Sequence, residues 1–342
     1  LSLPRLQRNL VVCVPPLYWY NDWPRLLLFL QLWKEADRIF LYVNSISTDV
    51  RKVLDYYEKM GVVDVVAWPF LPSLPDEDPN ASVYRLAHSL AHNDCLSRAA
   101  SATFVALVDL DEFIFARNKS LLSVLDGILT ERNSSIGSIL FPHSGLIFRK
   151  NLDHSFAAAS RAEAYAVRGP AKIIFMPSRT SLLLTHAVGE HLQPYKTAYI
   201  PASSALLIHL RDSFGEKKLG ASLATSSSPL WPFSPSLTQR LRSLSTLIFN
   251  GTPPPYSSNV SHATIRCLSN WRKNCKTPLT SCSRDLLPLD HWIFSESTDH
   301  SSFTLISEST DHSSFTLISE STDHSSFTLI SESTDHSSFT LI

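Results

Sequence analysis

Asp109, Asp111 and Glu112 close the segment S-A-T-F-V-A-L-V-D-L-D-E-F, Ser101 to Phe113, directly behind five consecutive apolar residues, Phe104 to Val108. Two carboxylates separated by one residue point the same way on extended chain, because side chains alternate along it. Such a pair can hold one hard divalent cation, Mg²⁺ or Mn²⁺, of the kind that bridges to substrate phosphates. An isolated Asp-x-Asp is expected about once by chance in a chain of this size, and its ordinary use is as solvated turn or helix-capping residues. Context separates the two readings. A run that is apolar at every position reads as a strand covered on both faces, as parallel strands are inside α/β sheets. The carboxylates then lie at the strand's carboxyl end, the edge of an open parallel sheet where ligands bind.

The upstream chain supplies the elements that such a sheet requires. Leu10 to Val14 reads as a strand stopped by Pro15 and Pro16, and a helix from Trp23 to Glu35 follows, with Asp22 as N-cap and Pro24 in its first turn. Arg38 to Val43 is a second strand. Ser47 caps a helix Val50 to Met60 whose Val50, Val53, Leu54 and Tyr57 make one stripe, ended by Gly61. Val62 to Trp68 is a third strand, and after the loop Pro69 to Pro79 a helix is expected from Ser82 to Ala99, with Val83, Leu86, Ala87 and Leu90 inward. This β-α-β-α-β-α-β order predicts an α/β fold with a mostly parallel sheet and right-handed crossovers. Downstream, Leu121 to Leu129 reads as a helix, and Ser138 to Phe141, Ala171 to Met176, Ser181 to Thr185 and Ala205 to His209 read as strands, a more β-rich second half. From Ala221 to Pro255 the chain turns to Ser, Pro and Leu, the composition of an irregular wrapping segment. Residues 295–342 are four identical copies of S-E-S-T-D-H-S-S-F-T-L-I. Identical copies cannot each be tuned to different neighbours, so a disordered or weakly β tail is expected, with no metal role for its histidines.

The chain of 342 residues, 44 % hydrophobic, is ample for a large core. A net charge of −1 removes the basic field that nucleic-acid binding uses, and no long Lys/Arg run replaces it. The opening residues contain neither an apolar run of the ~20 residues that span a bilayer nor a signal-peptide pattern. Sequons at Asn80, Asn118, Asn133, Asn250 and Asn259 favour the secretory pathway. Of five cysteines, Cys267, Cys275 and Cys282 have spacings suited to a loop-closing disulfide, while Cys13, in a strand, and Cys95, in a helix, fit either core burial or a bridge. No C-x-x-C pair suggests zinc.

The segments C-V-P-P-L-Y-W-Y-N-D-W (Cys13 to Trp23), F-L-Y-V-N-S-I-S (Phe40 to Ser47), V-L-D-Y-Y-E-K-M-G-V-V (Val53 to Val63), H-N-D-C-L (His92 to Leu96) and V-D-L-D-E-F (Val108 to Phe113) resemble glycosyltransferase family 92. The likeness is ordered over residues 9 to 218 and thinner at its end. There H-A-V (His186 to Val188) and H-L-R-D-S-F-G-E-K-K (His209 to Lys218) are similar to the family's closing pattern, with Leu210 where an aromatic is usual. The resemblance implies a GT-A fold over residues 9–220, between a short lead-in of residues 1–8 and the Cys-containing segment 221–294. It also implies a nucleotide-sugar donor, a Mn²⁺-type cofactor and a Golgi type II membrane enzyme anchored through a segment absent from this chain. The activity it implies is β-1,4-galactosyl transfer from UDP-galactose, with inversion, onto glycan acceptors such as fucose of an N-glycan core.

Within that reading Asp109 and Asp111 carry the cation, and His209, ending an apolar strand, can reach the same edge as a third ligand. Arg211 and Lys217 or Lys218 can contact the diphosphate, and Tyr18, Tyr20, Asn21 and Asn44 follow the first two strands onto the rim where a uridine would sit. Inversion requires a base for the acceptor hydroxyl. Glu190 is the favoured candidate among Asp153, Glu163, Glu190 and Asp212. Trp19, Trp23 and Trp33 serve either an acceptor sugar's apolar face or the core. Two rivals stand beside this reading. Asp-nucleophile phosphatases also carry D-x-D after a parallel strand, but on the first strand rather than the fourth; a GT-A-like domain that binds glycans or a partner without turnover is the other.

Overall fold

In a computed structural model the described residues are 9–72, 75–116, 119–132, 135–147, 152, 155–159, 162–165, 169–211, 222–224, 235–256, 258–268, 276–277 and 282–295, with the short stretches 303–306, 316–319 and 328–329. The chain separates into two units, Leu1–Phe294 and Ser295–Ile342.

The first unit opens with β1 (Leu10–Leu17), α1 (Trp23–Leu32), β2 (Arg38–Val43), β3 (Ser45–Ser47), α2 (Thr48–Lys59), β4 (Val63–Ala67), β5 (Val83–Tyr84), α3 (His88–Arg98) and β6 (Phe104–Leu107). It continues with β7 (Glu112–Ala116), α4 (Leu121–Arg132), β8 (Ile136–Phe141), β9 (His143–Ile147), β10 (Glu163–Tyr165), β11 (Lys172–Phe175), β12 (Thr180–Leu183), β13 (Val188–His191), β14 (Lys196–Tyr199), β15 (Ala205–Arg211) and β16 (Ser222–Ala224). It closes with α5 (Pro235–Ile248), α6 (Ser258–Leu268), β17 (Lys276–Thr277), α7 (Ser283–Leu286) and β18 (Trp292–Phe294).

Local signals explain the first half. Asp22 caps α1 by accepting from Arg25 N at 3.0 Å, and Ser47 caps α2 by accepting from Val50 N. The main sheet has the order β14-β8-β11-β6-β1-β2-β4. Strands β4, β2, β1 and β6 pair in parallel, β11 runs against both β6 and β8, and β14 is parallel to β8. Leu10, Val12, Phe104 and Ala106 on one face and Val11, Cys13, Val105 and Leu107 on the other enter separate hydrophobic clusters, so β1 and β6 are covered on both sides as their unbroken apolar runs require. A second sheet, β16-β10-β9-β15-β7, branches off directly after β6. The mixed α/β architecture with its mostly parallel central sheet is the expected GT-A-like class. Among the described residues no helix is long and apolar enough to cross a membrane.

Three expectations change. The helix predicted from Ser82 begins only at His88, because Arg85, Leu86 and Ala87 all adopt left-handed φ, 43°, 57° and 58°. Asn80 ties the preceding loop down instead: its side chain accepts from Leu71 N at 2.8 Å and donates to Leu71 O at 2.7 Å and Asp78 Oδ1 at 2.9 Å. The shortened helix buries Ala91, His92 and Cys95, leaving Leu90 63 % exposed rather than inward. Composition also hides α5, whose Leu237 and Leu241, with Leu244 and Ile248 behind them, make a helical stripe against α1 and α2 where an irregular segment was expected. Trp19, Trp23 and Trp33 are all core, at most 3 % exposed, which removes them as acceptor platforms.

Cys13 is bonded to Cys95, fastening α3 to β1, and Cys267 to Cys282; Cys275 lies outside the described residues. Asn118 and Asn133 also lie outside them. Because Asn80 is enclosed, at 2 % exposure, and its amide is fully engaged, it is expected to carry no glycan in protein expressed through a glycosylating secretory host. Glycopeptide mapping checks this against Asn250 and Asn259, which are exposed. A glycan on Asn80 of folded protein would contradict the enclosure. In the second unit, β19 (Phe303–Ile306), β20 (Thr316–Ser319) and β21 (Thr328–Leu329) pair as an antiparallel three-stranded sheet.

Candidate active site

Asp109 and Asp111 occupy the turn between β6, in the main sheet, and β7, in the second. The turn is held by backbone bonds, Glu112 N to Asp109 O at 3.0 Å and Leu210 N to Asp111 O at 2.6 Å. Strand β15 pairs antiparallel with β7 in a register that sets His209 opposite Glu112. His209 Nε2 consequently lies 2.9 Å from Asp111 Oδ2, and Arg211 Nε lies 3.0 Å from the same nitrogen. On its other side His209 Nδ1 is 3.1 Å from His143 Nε2, contributed by β9. The structure thus gathers Asp109, Asp111, His209 and Arg211 at one sheet edge.

Two further residues complete the cluster. Lys172 begins β11, whose antiparallel register with β6 pairs Ile174 with Ala106 and so brings Lys172 level with Val108. Its ammonium, with the side chain only 2 % exposed, donates to Asp109 Oδ2 and lies 2.9 Å from Glu112 Oε2. Glu112, equally buried, accepts from Asp109 N at 3.0 Å and approaches His209 Nδ1 at 3.7 Å. Nothing local in the sequence distinguishes Lys172 from a solvated strand-end lysine. Its role depends on a partner 63 residues away.

Charge follows from this placement. Burial alone would raise the Asp109 carboxyl, but Lys172 and then His88 pull it well below the usual carboxylate range. Burial pushes Glu112 up to about 7, helped by the charge on Asp109 and opposed by Lys172. Lys172 is raised despite burial because Asp109 and Glu112 flank it. His209 also rises against burial, through Asp111.

The donor set, two carboxylates and an imidazole, is of the kind that Mn²⁺ accepts, and Asp109 Oδ1 is buried with no hydrogen-bond partner. The side chains are nonetheless paired off, Asp109 on Lys172 and Asp111 on His209. Among the described residues no three His, Cys, Asp or Glu groups are gathered as a ready metal cage.

The rim residues divide. Tyr20 donates to Asp22 O at 3.0 Å and lies close enough to Asp111 for its hydroxyl to feel that charge. Tyr18 and Asn44 instead bond to Trp68, the phenol accepting from its indole N–H at 3.2 Å and the amide donating to its carbonyl at 2.9 Å. Asn21 accepts from Ser261 Oγ at 2.6 Å, which fastens α6 over the loop after β1. Glu190 is exposed on the β12–β13 hairpin. Asp153, Asp212, Lys217 and Lys218 lie outside the described residues, as does the side chain of Glu163.

The model of "Glycosyltransferase family 92" matches residues 8–243, from the start of β1 into α5. Two glycosyltransferase family 92 proteins of Caenorhabditis elegans are similar over part of the chain. One is 33 % identical over 116 residues and the other 28 % over 117, each match covering 32 % of this chain and 23 % of the relative. The matched stretch thus spans about a quarter of either curated relative's length. By the extent of the family match, which includes both carboxylates, Lys172 and His209, the chain belongs to glycosyltransferase family 92.

Proposed function

We propose that the chain is a metal-dependent glycosyltransferase that moves a hexose, galactose from UDP-galactose, with inversion onto a glycan acceptor such as fucose of an N-glycan core. It would act in the Golgi lumen as part of a single-pass type II membrane protein. The carrying observation is the turn from the main sheet into the second, where Asp109 keeps one buried oxygen unpartnered beside the Asp111–His209 pair, in a family 92 chain. Asp109, Asp111 and His209 are the residues that would hold Mn²⁺, and the chemistry supplied by the bound ion would be Lewis-acid charge against the departing UDP.

The chain's own groups do the rest. Lys172 keeps Asp109 ionised, and the contacts of His209 with Asp111 and His143 fix its ring. Arg211, beside His209, supplies a fork for a phosphate, with Lys217 and Lys218 as further cations. Tyr20 orders the loop that faces Asp111, and Tyr18, Asn21 and Asn44 shape the nucleotide rim behind it. Glu190 is the candidate base, exposed on the β12–β13 hairpin whose turn carries His186. A Glu190→Ala protein is expected to lose about 10²-fold or more in transfer rate with donor binding kept; an unchanged rate removes it.

Incubation with Mn²⁺, UDP-galactose and a fucosylated N-glycan is expected to release UDP in step with glycan elongation, and EDTA to stop both. Absence of UDP release across a panel of UDP-sugars and glycans would favour a binding domain without turnover.

A further inference from the structure

We infer that three histidines beside Asp109 form a pocket that recognises the hydroxyl groups of the sugar carried by the donor: His88 and His92 on α3 and His186 at the turn between β12 and β13. The inference rests on the donor reading above and assigns it a subsite. His88 and His92 are one helical turn apart with ring centroids at 6.2 Å. Ser89 Oγ on α3 lies 3.2 Å from Thr185 Oγ1, and Asn93 Nδ2 donates to Leu183 O at 2.9 Å, so α3 packs against the hairpin; all three rings also feel both Asp109 and Lys172.

Hydrogen bonding gives the cluster its meaning. His92 is 1 % exposed and approaches the backbone of Leu184 at the hairpin turn, but neither of its ring nitrogens makes a well-formed hydrogen bond, and Nδ1 of His186 has no partner either. Leaving a buried polar group unpaired costs about 1–3 kcal/mol. Such groups persist where a ligand supplies the missing partner. His88 and His186 are only half-buried, which leaves an approach to the buried His92 between them. The backbone ahead of α3 points the same way, because three consecutive non-glycine residues, Arg85 to Ala87, are held in left-handed conformation to start the helix at His88. Strain of this kind, about 1–3 kcal/mol per residue, gathers at ligand clamps.

Chemistry selects the ligand class. Burial, then neighbouring rings and Lys172, hold His92 and His186 neutral. A neutral imidazole presents one donor and one acceptor, the complement of a hydroxyl. The spacing His88-x-x-x-His92 also suits a transition metal, but the cations Arg85 and Lys172 oppose a further positive charge, and among the described residues no three His, Cys, Asp or Glu groups are placed to hold a metal. A phosphate would call for charged rather than neutral rings.

Calorimetric titration of the full chain in Mn²⁺, with UDP and UDP-galactose as probes, tests the assignment. His186→Ala and His92→Phe are each expected to weaken UDP-galactose binding by about tenfold, the worth of one good hydrogen bond, while UDP binding stays within about twofold. His186 is only half-buried, so His186→Ala decides the matter if His92→Phe fails to fold. Equal loss for both probes, or no loss for either, overturns the subsite. Stoichiometric zinc in the purified protein that disappears in His92→Phe overturns it in favour of a metal site. Wild-type protein that binds neither probe removes the donor reading and this inference together; binding of both with unchanged variants removes the inference alone.

Discussion

Replacing Lys172 by Met is expected to destabilise the fold by about 3–5 kcal/mol, the cost of removing one partner from a buried charge pair. Met matches the aliphatic stem but leaves Asp109 and Glu112 facing each other with no cation between them. Equilibrium urea unfolding would read the loss. The same reasoning predicts recovery in Lys172→Met/Glu112→Gln, where one of the two charges is gone. It also fixes a pH dependence. Glu112 already sits at about 7 in the folded protein, above its ordinary 4.5, and loss of Lys172 can only raise it further. A carboxyl raised on folding contributes stability below its unfolded pKa and loses it as pH climbs through the folded one. Asp109, depressed by Lys172, is left without its cation already near pH 5, so the deficit of Lys172→Met should be present there and larger near pH 8, where Glu112 also ionises. A deficit under about 1 kcal/mol at pH 8 would show that the lysine is incidental.

Lys172 also marks the limit of what the sequence discloses. The strands and helices from Leu10 to Ala67 were legible because each depends on neighbours in the chain: Asp22 and Ser47 cap the helices they precede, Gly61 ends α2 at φ 70°, and unbroken apolar runs identify strands covered on both faces. The Asp109–Asp111 edge was legible for the same reason, since it directly follows β6. Where long-range contacts decide, local patterning failed. The helix expected from Ser82 gave way to a loop closed by Asn80, whose partners Leu71 and Asp78 form no part of a helical repeat. His92 reads as one polar residue on a helix, and only the packing of the β12–β13 turn brings the Leu184 backbone to it. Lys172 required the antiparallel register of β11 against β6, and no periodicity in either strand reveals that they pair. Glu112 was in plain view beside the carboxylate pair, yet its burial beneath Asp109 N follows from the chain turning into a second sheet.

Asp111→Asn is expected to lower Mn²⁺-dependent transfer by about 10²–10³-fold, the scale seen when one preorganised electrostatic contact to a reacting group is removed, while the protein remains folded. The substitution keeps shape and one carbonyl oxygen, so the turn, held by the Asp111 carbonyl accepting from Leu210 N, is untouched. What disappears is charge. Asp111 pairs with the titratable His209 rather than with a fixed cation, so its charge can be shared with a divalent ion, whereas that of Asp109 is largely balanced by Lys172. His209 loses its nearest anionic partner at the same time and is left beside Arg211 and His143, with Glu112 at 3.7 Å. Two readouts separate a ligand from a bystander: Mn²⁺ affinity by electron paramagnetic resonance, and transfer rate at saturating metal. A ligand loses in the first and recovers part of the second as metal is raised, whereas a residue that only orients His209 loses rate at every metal concentration with affinity unchanged. Full Mn²⁺-dependent transfer by Asp111→Asn would remove the residue from the metal site, leaving Asp109 with Lys172 as a structural ion pair rather than half of a cation-binding edge.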